Sequence, residues 1–107
     1  MSQLNYGGTA AAMAVLVLVA LPATAARQKG EVAFNEHCAA CHAAGGNLIN
    51  PAKTLFRKDR EKNGLKKSGD LISVMRKPGP GMAAFDTKAL PDKEAQEIAE
   101  YIIKTFK

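Results

Sequence analysis

The sequence predicts an all-α fold. Two observations carry that expectation. From Ala95 onward, Ile98, Ala99, Ile102, Ile103 and Phe106 keep a three-and-four spacing, the stripe of an amphipathic helix. Nowhere does an apolar/polar alternation long enough for a strand occur. Between the periodic stretches the chain is punctuated by turn chemistry, at Ala43-Ala44-Gly45-Gly46-Asn47, at Asn50-Pro51 and at Pro78-Gly79-Pro80-Gly81.

The first segment reads as an export signal. Ala10 to Leu21 is an unbroken apolar run of 12 residues closed by Pro22. As a helix it would reach about 18 Å, short of a hydrocarbon core of about 30 Å. Ala23-Thr24-Ala25 supplies small residues in a cleavage pattern, although Met1 to Thr9 holds no Lys or Arg. The expected organisation is therefore a cleaved signal over residues 1–25 and one domain over 26–107. The mature chain is expected in the periplasm, with no stable membrane insertion.

Each later element has its own signal. Gln28 to Ala40 suits a helix, with Gly30 the weak point in propensity. Lys53 to Lys62 suggests a second. Ser68 or Asp70 can cap a third that ends at Arg76. Pro91 fits the first turn of the last helix, with Asp92 and Glu94 at its positive end and Lys104 and Lys107 at its negative end.

A mature domain of 82 residues has a thin core, and domains of about that size ordinarily need a staple. Two Cys cannot make a disulfide scaffold. Every charged residue lies beyond residue 26, so the mature domain keeps the full net charge of +5. That balance favours acidic partners. No recognition helix, zinc finger pattern or aromatic-interleaved basic groove accompanies it, so nucleic acid is not an expected partner.

Cys38-Ala39-Ala40-Cys41-His42 is the strongest chemical signal. C-x-x-C-H is the attachment sequence of c-type haem: two thiols add to the two vinyl groups, and the adjoining imidazole ligates iron from below. A thioredoxin-like reading lacks a βαβ context, and a zinc reading lacks a second ligand pair. One covalent haem c is expected, held by Cys38 and Cys41 with His42 axial, and it would be the staple. For the sixth position the candidates are Met82, Met75 and His37. Lys77-Pro78-Gly79-Pro80-Gly81 can form a stiff non-helical strap that carries the Met82 thioether over the haem. Met75 sits in the apolar stretch Leu71-Ile72-Ser73-Val74-Met75, where packing is the ordinary role of Met. His37 reads as a solvated neighbour on the first helix.

These segments together resemble a class I c-type cytochrome, nearest the cytochrome c6 (c-553) group. The resemblance runs through Gly30-x-x-x-Phe34-x-x-x-Cys38-Ala39-Ala40-Cys41-His42, Asn50-Pro51-Ala52-Lys53-Thr54-Leu55, Met82-Ala83-Ala84-Phe85 and Ile98-Ala99-x-Tyr101-Ile102. It implies about four short helices around one haem, His42 proximal and Met82 distal, and single-electron transfer by Fe(III)/Fe(II) cycling rather than enzymatic turnover. It also implies a carbonyl near Asn50-Pro51 that orients His42, and a haem pocket that includes Asn50, Pro51, Val74 and Phe85. Ala83 stands where the group has Pro, and Val74 where photosynthetic members have Gln; these departures point toward a bacterial respiratory relative.

Arg57, Lys58, Arg60, Lys62, Lys66 and Lys67 place six bases within eleven residues. They form either a docking patch for acidic redox proteins or a solvated helix face. The carrier is expected to be a monomer. The rival function is a haem enzyme or a gas or redox sensor with an open or displaceable sixth ligand.

Overall fold

The structure, a computed structural model, describes residues 3, 7–18 and 22–107. Part of the expected signal, residues 1, 2, 4–6 and 19–21, lies outside them. Residues 7–18 adopt no regular secondary structure, and their large apolar side chains are exposed. Among the described residues no helix is long and apolar enough to cross a membrane.

As expected, the described residues form helices and no strand. In chain order they are α1 (Pro22–His37), α2 (Ala39–His42), a 3₁₀ turn (Ala43–Gly45), α3 (Arg57–Lys62), α4 (Ser68–Arg76) and α5 (Asp92–Thr105). The expected helix through Ala40 is interrupted at Cys38, whose backbone leaves helical geometry at φ −122°. The Cys38 carbonyl then accepts from His42 N at 2.9 Å and starts the single turn of α2. The second helix begins four residues later than expected. Before it, Thr54 Oγ1 donates to Asp59, a bond that holds the chain extended at Phe56 and places an acid in the first turn.

The frame is α1 and α4 packed on α5. The stripe read from the sequence is its core: Ala95, Ile98 and Ala99 are fully buried, Ile102 and Phe106 nearly so, and Ile103 is only partly covered. Facing them are Ala33 and Phe34 of α1 and Leu71 and Met75 of α4, with Leu90 closing the end. Met75 is thus a core residue at 4% exposure, and a buried aliphatic side chain of that size stabilises by about 1.5–3 kcal/mol. Gly30 explains its own poor helix propensity. A Cβ there would meet the Glu97 carbonyl and lie 2.8 Å from Tyr101 Cβ, so only glycine lets α1 and α5 come this close.

α4 is capped from inside its first turn. The Asp70 carboxylate accepts from Lys66 N at 3.0 Å and Lys67 N at 2.9 Å. Those two bonds hold its carboxyl below the ordinary value of 3.8.

Candidate functional site

The chemistry-bearing residues sit where the frame stops. Cys38 ends α1, Cys41 and His42 occupy the one turn of α2, and the chain then reverses through the 3₁₀ turn. That reversal puts Ala44 at φ 54° and Gly45 at φ 82°. Gly45 has a second reason to be glycine, since a Cβ would lie 2.6 Å from the Phe106 ring. Phe106 in turn packs on Phe34, Phe56 and Tyr101 at ring separations of 5.5, 6.0 and 5.9 Å.

His42 is oriented by this turn. Its Nδ1–H donates to the Gly46 carbonyl at 2.8 Å, which leaves the lone pair on Nε2. The orienting carbonyl therefore belongs to Gly46 rather than to the Asn50-Pro51 region, because the tight reversal returns the chain to His42 within four residues. Asn50 and Pro51 are exposed. They belong to a loop built around Asn47, whose Oδ1 accepts from Ile49 N and Asn50 N and whose Nδ2 donates to the Lys53 carbonyl. Asn47 was legible only as turn chemistry; its role as the hub needed the fold.

The two cysteines form no disulfide and lie in different surroundings. Burial pushes the Cys38 thiol up to about 11, and Cys41 is exposed. A raised value marks an apolar environment, the opposite of a reactive thiolate or a metal thiolate, and it suits a thioether lying against an apolar disc. The loop after His42 presents Leu48 and Ile49 at 77% and 60% exposure, apolar surface of the kind such a disc would cover. These features fit haem c, with Cys38 and Cys41 as attachment points and His42 Nε2 as the nitrogen toward iron.

The strap comes to the same place. Residues 77–84 leave α4 and return at Phe85, whose N–H donates to the Met75 carbonyl at 2.8 Å. Gly81, at φ +90°, seats against Ile49: a Cβ would stand 3.1 Å from Ile49 Cγ2. The residue before Met82 thus touches the loop that follows His42. Met82 and Val74 are half-buried, as is Phe85, which meets His37 edge-on at 5.9 Å. His37 is less solvated than expected. Its Nε2 lies 3.4 Å from Glu94, joining α1 to α5.

The basic cluster divides. Arg57, Lys58, Lys62, Lys66 and Lys67 are exposed, but Arg60 is 3% exposed and cannot belong to a docking patch. Its Nε donates to the Leu55 carbonyl at 2.7 Å and its Nη2 to the Phe106 carbonyl at 3.1 Å. Desolvation lowers its pKa first, Arg57 adds to the effect, and Glu61 opposes it. An open groove of about 580 Å³ runs between α1 and the start of α5, bordered by Val32, Glu36, Pro91 and Glu97. None of the haem-attachment or strap residues lines it.

Comparison with known proteins agrees with this geometry. The family described as cytochrome c oxidase, cbb3-type, subunit III matches residues 25–102. Cytochrome c6 of Rippkaea orientalis is 36% identical over 74 residues, which cover 69% of this chain and 66% of that one. This chain thus spans about two thirds of that relative's length. Among solved structures, the outer membrane cytochrome OmcF of Geobacter sulfurreducens superposes with a TM-score of 0.71 at 44% identity, covering 73% of this chain and 99% of that chain. Cytochrome c6 of the diatom Phaeodactylum tricornutum gives 0.68 at 35% identity, covering 73% and 91%.

Proposed function

The chain belongs to the cytochrome c family, whose members bind haem c covalently, and we infer that this protein is an exported mono-haem electron carrier with iron held between His42 and Met82. The observation that carries the ligand assignment is the seat of Gly81 on Ile49, which brings the strap against the loop that orients His42. The burial of Met75 in the frame supports the same choice, because a side chain packed between α4 and α5 is not free to reach iron.

Haem c supplies one-electron redox chemistry when bound. The chain's own part is positioning. Gly46 fixes the tautomer and direction of the His42 imidazole. The strap offers a thioether rather than an open position, which shields iron from small substrates, and Met/His ligation raises the potential relative to other axial pairs. Val74 places an aliphatic side chain in α4 one residue before Met75, where a polar one would tune the potential differently. Arg57, Lys58, Lys62, Lys66 and Lys67 form the docking surface for acidic redox partners of a bacterial respiratory chain. The mature carrier is a periplasmic monomer over residues 26–107, released by cleavage after Ala25.

The test is the absorption spectrum of the haem-loaded protein, where Met–iron ligation gives a weak band near ~695 nm. The band is expected to vanish in Met82→Ala and to survive in Met75→Ala. A high-spin wild-type spectrum that responds readily to carbon monoxide would overturn the closed carrier in favour of a sensor or enzyme.

A further inference from the structure

The strap that carries Met82 has almost no hydrogen bonding of its own. Pro78 and Pro80 have no N–H to donate, and the segment holds no regular structure beyond a turn at Pro80–Gly81. Its geometry is therefore held largely by contacts with the rest of the chain. One side chain does most of that. Arg76, the last residue of α4, directs Nη1 at the carbonyls of Phe85 (3.1 Å), Asp86 (3.0 Å) and Leu90 (2.7 Å), and Nη2 at Asp92 Oδ1 (2.7 Å). Nη1 has two hydrogens for three acceptors, so at least one is shared, a dense arrangement for a side chain that is itself only 20% exposed. Phe85 is clamped twice, through its carbonyl by Arg76 and through its N–H by the Met75 carbonyl.

We propose that Arg76 is a positioning residue, a latch that closes the strap between the end of α4 and the start of α5 and so holds the Met82 thioether in place against competing ligands. The guanidinium differs here from an ammonium in offering two nitrogens on a rigid plane: Nη1 meets the three carbonyls while Nη2 meets Asp92, and the group stays charged. The Asp92 carboxylate, 85% exposed, orients the fork from outside and contributes little. This latch rests on the assignment of Met82 as the distal ligand.

The experiment compares exogenous imidazole binding by oxidised, haem-loaded wild type, Arg76→Gln, Arg76→Lys, Asp92→Asn and a frame variant, Ile98→Val. Thermal midpoints and exchange of the Phe85 amide are recorded on the same samples. Imidazole is expected to displace the thioether at a concentration at least tenfold lower in Arg76→Gln and severalfold lower in Arg76→Lys, with faster Phe85 amide exchange in both. Ile98→Val should keep the wild-type imidazole midpoint even though its thermal midpoint falls, and Asp92→Asn, which alters only the Nη2 partner, should lower it by less than Arg76→Lys. An unchanged imidazole midpoint in Arg76→Gln, in a wild type that shows the Met82-dependent band, overturns the latch alone. An equal drop in Ile98→Val reduces Arg76 to a general stabiliser and also overturns it. A wild type without that band overturns the ligand assignment and the latch with it. Should Arg76→Gln fail to fold, Arg76→Lys decides the question by the same two readouts.

Discussion

The frame of α1, α4 and α5 and the two irregular segments, 43–56 and 77–90, are held by different forces. The frame is apolar contact: Ile98 has no exposed surface, and Phe34, Leu71, Met75 and Ile102 are buried with it. The irregular segments have few buried apolar side chains of their own. They are held by side chains that satisfy backbone groups: Asn47 within its loop, Arg60 on Leu55 and Phe106, and Arg76 on Phe85, Asp86 and Leu90. α5 serves both. Its C-terminal end receives the loop of His42 through Phe106, and its N-terminal end receives the strap through Arg76. One helix thus sets the spacing of the two lips between which a haem would be held.

That division can be broken from the frame side. Ile98→Ala removes a fully buried side chain and is expected to cost about 4 kcal/mol in denaturant unfolding. The Met82-dependent band should nevertheless persist in the fraction that stays folded. Loss of the band in folded protein would show that the frame and the site are not separable.

A smaller effect tests the joint between the regions. Arg60→Met leaves the Leu55 and Phe106 carbonyls without their guanidinium donor, at an expected cost of about 2 kcal/mol. Lys58→Met, on the exposed side of the same helix, should change stability by less than about 0.5 kcal/mol. Equal stability of the two variants would place Arg60 on the surface after all.

The smallest effect is confined to pH. The Asp70 carboxyl titrates below its ordinary 3.8 because Lys67 N and Lys66 N donate to it. Its stabilisation is therefore complete above that value and fades as pH falls through the lower, folded value. Asp70→Asn should lower the thermal midpoint at neutral pH. The gap to wild type should close as pH falls below the ordinary 3.8 and through the lower, folded value. A gap independent of pH would assign the effect to the hydrogen bonds of the cap alone.

How much of this was legible in advance follows the same division. The α5 stripe was read from Ala95 to Phe106 because burial repeats with the helical period and needs no knowledge of the partner. The start of α3 was misplaced because Thr54 and Asp59 compete with the helix locally, a contest that propensity does not resolve. Asn50 and Pro51 were expected beside His42, and the turn at Ala44 and Gly45 brought the Gly46 carbonyl there instead.

The sequence by itself determined the haem-attachment motif, the all-α class and the non-helical character of the strap, because each depends on residues adjacent or within one helical period of one another. Tertiary structure alone decided the fates of the arginines. Arg60 and Lys58 look alike in a basic run, yet Arg60 is buried and bonds a carbonyl 46 residues away. Arg76 ends a short helix without any local mark, yet it gathers acceptors 9 to 16 residues further on. Such bonds exist only once packing on α5 has brought distant backbone into reach, and no local pattern encodes which carbonyls will be left to satisfy.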